Sequence, residues 1–364
     1  MRRVKVGIIG QGRSGRDIHA ATMMNMPELF EIVAISDPVP ERRERARKEL
    51  RCDVAADDQD LYRMSDIELI VNATPSHMHV PVSIACMQRG FHVLCEKPLA
   101  RWTADVDRLI EVSNQTGQRV AVYHQLRFAP AFRKLCDIID SGRIGRVVQA
   151  SLSFNGFSRR WDWQTLQEKN GGNLLNTGAH AVDQGVRLFG QGGQPEVFCL
   201  MDRANSFGDA EDYVKLILHG AGRPTVDIEL SSCSAYPGAA YVVQGTHGGI
   251  KGTHGRLDWK YFKPEEAPAQ RLITEALQHA DGTPAYCSEQ LTWYEESWEP
   301  ANEREANPYT AAAESYYRAL YNTIALGEPL PITLEEVRRQ IRVIEQCFEQ
   351  NEAFASKHRK SSGS

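Results

Sequence analysis

Short apolar runs alternate with helical periodicities along the first third of the chain. Val4–Ile9, Glu31–Ser36, Leu69–Asn72, Phe91–Leu94 and Arg119–Val122 read as strands, and helical patterns begin between them at Ser14, Glu41, Ser76 and Thr103. The last of these helices gathers Val106, Leu109, Ile110 and Val112 on its inner side and stops at Gly117. This is the βαβ rhythm of a doubly wound parallel sheet.

The rhythm changes after Tyr123. A helix through Phe132–Ile139 ends at Ser141-Gly142, Val147–Phe154 reads as a strand, and a glycine-flanked helix runs from about Asn173 to Phe189. Strands then follow without intervening helices, at Glu196–Met201, Tyr213–Leu218, Thr225–Ser232 and Tyr241–Gln244. Successive strands predict a mostly antiparallel sheet and an α+β second domain. Tyr261 to Asn307 reads as irregular and acidic, with the aromatic segment Trp293–Trp298 inside it. Helices over Tyr309–Leu326 and Leu334–Phe348 close the pattern, the second opened by a Thr333/Glu336 capping box. The expected domains are 1–123 and 124–360, because a 364-residue chain exceeds the ~250–300 residues at which single cores stop growing.

Composition narrows the class. With 42% hydrophobic and 24% charged residues the chain reads as globular, and a formal charge of -5 leaves no broad basic surface for a nucleic acid. No apolar run approaches the ~20 residues of a membrane span, and Met1 leads directly into a strand without a signal core, so a cytoplasmic protein is expected. Eight scattered cysteines without a C-x-x-C pair indicate neither zinc nor a disulfide framework. The small polar tail Ser361–Ser364 stands outside the fold argument.

The chemistry begins at Gly10-Gln11-Gly12-Arg13-Ser14-Gly15, a G-x-G-x-x-G between a strand and a helix. Its glycines permit a tight turn, close approach to a pyrophosphate and close helix–strand packing, with helix N-terminal amides facing the phosphates. Asp37 ends the next strand, where a carboxylate accepts from the adenosine ribose hydroxyls and repels a 2′-phosphate. NAD is therefore favoured over NADP. The run Arg42-Arg43-Glu44-Arg45-Ala46-Arg47-Lys48 opposes that choice, but its interleaved glutamates read as a solvated helix face. At the next strand end stand Thr74, Pro75, His77 and His79, a loop placed to line the cofactor; the two histidines lack a third ligand for a metal. Glu96-Lys97-Pro98 closes the following strand, again where open α/β sheets bind ligands.

These motifs, with Ala73-Thr74-Pro75-Ser76-x-x-His79 and Gly171-Gly172-x-x-Leu175-x-x-Gly178-x-His180-x-x-Asp183, resemble the glucose-fructose oxidoreductase / inositol dehydrogenase / MocA family. The resemblance implies an N-terminal Rossmann domain, a C-terminal domain on an open, mostly antiparallel sheet, and NAD(P)-linked oxidation of sugars or cyclic polyols. It makes Lys97 the lysine near nicotinamide and substrate, and His180 the catalytic histidine. Asn176 stands where many members carry aspartate, and reads as a positioner of histidine or substrate. Asp183 reads as a structural carboxylate or a companion of His180. Gln125, Arg127, Asn155, Arg159, Trp161, Trp163 and Tyr236 join Asn176 and His180 as candidates to hold a polyhydroxylated ring. Family analogy also implies a homodimer or homotetramer. Two rival functions stay open: an NAD-dependent glycosidase that oxidises a ring hydroxyl transiently, and a non-catalytic cofactor-binding regulator.

Overall fold

A computed structural model describes residues 2–64 and 66–355; residues 1 and 356–360 of the expected domains, and the Ser361–Ser364 tail, lie outside them. The first sheet contains β1 (Val4–Ile9), β2 (Phe30–Ser36), β3 (Asp53–Ala55), β4 (Leu69–Asn72), β5 (His92–Cys95) and β6 (Val120–Val122). All its pairings are parallel and its order is β3-β2-β1-β4-β5-β6, the doubly wound Rossmann arrangement. Helices cover both faces, which is why β4 is buried at every residue and carries no polar alternation before Asn72.

The second sheet contains β7 (Val147–Asn155), β8 (Glu196–Asp202), β9 (Tyr213–His219), β10 (Thr225–Ser231), β11 (Tyr241–Gly245), β12 (Gly248–Thr253), β13 (Arg256–Tyr261) and β14 (Tyr294–Trp298). Its order is β14-β13-β12-β11-β7-β10-β9-β8, antiparallel throughout except for the parallel β7–β10 pair. Here the strands alternate: Val226, Ile228 and Leu230 face the core, while Asp227 pairs with Lys215 at 2.7 Å on the other side. Helix Gly178–Phe189 packs on the apolar face, with Gly178 against Leu230 and Gly185 against Ile228. A Cβ at either glycine would strike those side chains, so this helix lies unusually close to its sheet and carries His180 with it.

Two expectations need correction, and one helix reaches across to the first sheet. The helix drawn from Asn173 starts at Gly178, because the Asn173 amide side chain donates to the Asp212 carbonyl at 2.7 Å and Ser232 Oγ at 2.9 Å, fastening the preceding turn to the second sheet. The stretch read as irregular holds the edge strand β14, whose Tyr294 and Trp298 pair with Tyr261 and Leu257. Helix Pro308–Leu326, expected with the second domain, returns to the first sheet: Phe30 has Tyr317 at 5.4 Å and Tyr321 at 5.9 Å, both edge-on. No described helix is long and apolar enough to cross a membrane.

Candidate active site

The glycine turn follows β1 directly. Gly10 sits at φ 94, and a Cβ there would lie 2.6 Å from the Ala73 carbonyl, so the turn at the β1–β4 seam admits only glycine. A Cβ on Gly15 would collide with the Gly10 carbonyl, whereas one on Gly12 would meet nothing within 4 Å. The turn is tight where the chain packs on itself and open at Gly12, which fits a phosphate brought close to the backbone. Arg13 precedes, and Ser14 begins, a π-helical segment Ser14–Ala20 that continues as α-helix Ala21–Met24.

Asp37 is 1% exposed and accepts the Gln11 N–H at 2.7 Å and the Val39 N–H at 2.9 Å. The arginine run is not wholly a solvated face. Arg42 reaches Asp37 Oδ2 at 3.4 Å, Arg43 donates to the Asp37 carbonyl at 2.7 Å, and Arg45 donates to the Gln11 carbonyl at 2.9 Å. A buried carboxylate and two loop carbonyls draw these guanidinium groups back over the turn, while Arg47 and Lys48 stay outside on Glu44.

The loops after β4 and β5 are tied together by one ring. His79 Nδ1 lies 2.7 Å from the Pro98 carbonyl and Nε2 lies 3.0 Å from that of Thr74. Thr74 Oγ1 donates to Asn72 Oδ1 at 2.7 Å, Pro75 is exposed, and the Lys97-Pro98 peptide is cis. His79 thus fastens the two loops together. His77 is half-buried and lines a groove with Ser76, Arg101 and Asn170. Glu96 is buried, and burial alone would raise its pKa. The His19 hydrogen bond, with the Lys97 charge, holds it instead at about 2.

Lys97 crosses to the second domain. Its Nζ donates to both the Oδ1 and the carbonyl of Asn176, each at 3.1 Å. Asn176 therefore holds the lysine; His180 Nδ1 has no hydrogen-bond partner among the described residues. His180 is 6% exposed, with the His124 ring edge-on at 5.8 Å. Burial first, then the nearness of Lys97 and His124, pushes its pKa well below the usual 6.5 and favours the neutral imidazole. The Lys97 ammonium is disfavoured by burial, supported by Glu96, and opposed by Arg13 and Arg160.

The expected substrate residues scatter. Arg127 is corrected most clearly: it grips Asp183 through Nε at 3.0 Å and Nη2 at 2.6 Å, and Glu336 through Nη1 at 2.8 Å. A guanidinium saturated by two carboxylates is an internal strut, and Asp183 is its partner rather than that of His180. Asn155 lies on the sheet face away from helix Gly178–Phe189, donating to Glu229 at 2.7 Å. Arg159 lies over Phe207 at 5.0 Å, and Trp161 meets the same ring edge-on while remaining 78% exposed. Trp163 is exposed on a short 3-10 turn, Tyr236 is 96% exposed, and Gln125 is buried on the turn Gln125–Phe128. Among the described residues none of these hydrogen-bonds to Lys97 or Asn176. Arg160 is the arginine whose charge reaches Lys97, and it lines a small polar cavity with Gly172, Asn173 and Ser232. Among the described residues no group of His, Cys, Asp and Glu is arranged to hold a metal.

Burial has a consequence for stability. His124 and His180 both resist protonation when folded, so below pH 6.5 the unfolded chain binds more protons than the native one. Stability is then lost as pH falls through the unfolded histidine range. The urea midpoint is expected to drop between about pH 7 and pH 5; a flat or rising profile counts against buried neutral imidazoles.

Residues 4–124 match the model of an oxidoreductase family with an NAD-binding Rossmann fold, and residues 132–251 match the GFO/IDH/MocA C-terminal domain. The chain belongs to the GFO/IDH/MocA oxidoreductase family. Among its relatives, 2,7-anhydro-N-acetylneuraminate hydratase of Mediterraneibacter gnavus is 29% identical over 69% of this chain and 67% of its own. The scyllo-inositol 2-dehydrogenase (NADP(+)) IolW of Bacillus subtilis is 26% identical over 95% of this chain and 93% of its own. The WlbA dehydrogenase of Bordetella pertussis, solved with NADH and UDP-GlcNAcA, shares the fold at TM-score 0.77 and 22% identity, covering 96% of each chain. The Rossmann sheet and the mostly antiparallel second sheet are the architecture that the motifs imply for this GFO/IDH/MocA member.

Proposed function

We propose that this family member is an NAD-linked dehydrogenase acting on a hydroxyl of a sugar, sugar derivative, glycoside or cyclitol. The observation that carries the reading is the Lys97 ammonium, fixed by Asn176 across the crevice from a neutral, buried His180. NAD, when bound, supplies the site that takes up or returns a hydride. Gly10, Gln11, Gly12, Arg13, Ser14 and Gly15 would hold the pyrophosphate, Asp37 the adenosine ribose, and Thr74, Pro75 and Glu96-Lys97-Pro98 the nicotinamide side. Neutral His180 takes the hydroxyl proton, and Lys97 stabilises the alkoxide that develops. A second reading is an NAD-dependent glycosidase that oxidises a ring hydroxyl only transiently, with no net NADH; a relative named as a hydratase, a redox-neutral activity, favours it. A panel of sugars and cyclitols followed by NADH absorbance, with product analysis of the silent cases, separates the two. A panel silent by both measures rejects both.

Asp37 bears on which dinucleotide is used. Its carboxylate, held by the Gln11 amide, stands ready for ribose hydroxyls and against a 2′-phosphate. Asp37→Ala is expected to weaken NAD about tenfold and to improve NADP, since Arg42 and Arg43 remain beside the vacated position. Tighter binding of NADP than NAD by the unaltered protein in a fluorescence titration defeats the assignment.

A further inference from the structure

Behind Glu96 lies a hydrogen-bonded chain that no motif marks. His19, on the segment after the glycine turn, is fully buried. Its Nε2 lies 3.1 Å from Glu96 Oε1 and its Nδ1 lies 2.7 Å from the Tyr317 hydroxyl. Glu96 Oε2 accepts the backbone N–H of Lys97 at 3.0 Å. Tyr123 packs against the His19 ring at 4.6 Å between centroids and fixes its plane. For a neutral ring the donors run one way: the Tyr317 O–H donates to Nδ1, and Nε2–H donates to Glu96. Burial keeps the Tyr317 hydroxyl protonated and so able to donate.

We propose that His19 and Tyr317 are positioning residues of the Lys97 centre: by directing an N–H at Glu96 they keep it a carboxylate, and that anion keeps the proton on the lysine. Glu96 and Lys97 can share one proton in two arrangements, carboxylate with ammonium or carboxylic acid with amine. Moving between them transfers a single proton and leaves the total charge unchanged. Burial favours the uncharged pair, and the guanidinium groups of Arg13 and Arg160 push the same way by repelling the ammonium. His180 on helix Gly178–Phe189 and His124 just after β6 face the lysine as neutral rings, and His79 faces both groups from the turn after β4. The His19 N–H bonds well to the ionised carboxylate and poorly to the acid, and so selects the charged arrangement. Its importance for catalysis rests on the dehydrogenase reading; the location of the proton does not.

Competitive labelling with trace acetic anhydride over about pH 6 to 11, resolved by peptide mass spectrometry, reads how much of Lys97 is free amine. The protein is used as the apo chain, so no substrate is required. His19→Leu is expected to move the Lys97 labelling midpoint down by about one pH unit. His19→Gln, whose amide can donate to Glu96, restores most of that shift, and Tyr317→Phe gives a smaller shift in the same direction by releasing the ring tautomer. An unchanged midpoint in folded His19→Leu, or an equal shift in His19→Gln, overturns the proposal. Should His19→Leu fail to fold, Tyr317→Phe decides: a midpoint at the unaltered pH overturns it. A protein inactive on every sugar that still shows these shifts sinks the dehydrogenase reading and leaves the proton assignment standing.

Discussion

Lys97→Met is expected to bind cofactor within a few-fold of the unaltered protein while hydride transfer falls ~10²–10³-fold. Methionine keeps the length and apolar stem of lysine and removes only the charge. Most of the cofactor fit rests on the glycine turn and Asp37, which Lys97 does not touch, so only the nicotinamide end loses a contact. Transition-state stabilisation loses more: the ammonium is the one donor that Asn176 aims across the crevice, at 3.1 Å through both its oxygens. Single-turnover hydride transfer with the best substrate of the panel measures the step itself. Transfer at near the unaltered rate would reduce Lys97 to a cofactor-loop residue.

His180→Ala is expected to cost ~10²–10⁴-fold in the same step, with the loss greatest where proton removal is rate-limiting. The neutral ring is ready to accept a proton across the neutral range, because burial, Lys97 and His124 all oppose its charging. The double variant should lose far less than the product of the single losses if lysine and histidine act as a unit. Full multiplicativity of the two losses, or a His180→Ala variant with unaltered pH dependence, removes the histidine from proton transfer.

The first sheet was largely legible because its buried parallel strands read as apolar runs, and because β1, β4 and β5 each end in a motif. β3, with only Asp53-Val54-Ala55, is too short to show a pattern. β12 is hard to read for another reason: Gly248, Gly249 and Gly252 leave half of its six positions without side chains, and its strand state comes from its neighbours β11 and β13. Within the site, Lys97 and His180 were legible from motif and strand-end position. His19 was not, since nothing in Asp17-Ile18-His19-Ala20 distinguishes a buried ring donor from one at the surface. Arg159 and Arg160 differ only in which side of an extended chain each faces, and composition does not tell them apart. Arg127 illustrates the opposite failure. It stands at a strand end like a ligand-binding residue, but its two carboxylate partners, Asp183 and Glu336, come from far along the chain.

Helix Pro308–Leu326 also has a consequence for how this chain is made. Tyr316 donates to the Val122 carbonyl at 2.7 Å and Tyr321 to the Arg2 carbonyl at 2.7 Å, so the last strand of the first sheet and the lead-in to its first strand are tied by residues translated long after them. At ordinary ribosomal speed the interval between Val122 and Pro308 lasts on the order of ten to forty seconds. Throughout it Phe30 and Tyr123 have no aromatic cover from that helix. Until that helix emerges, the aromatic face that it will cover on the Rossmann half stays open.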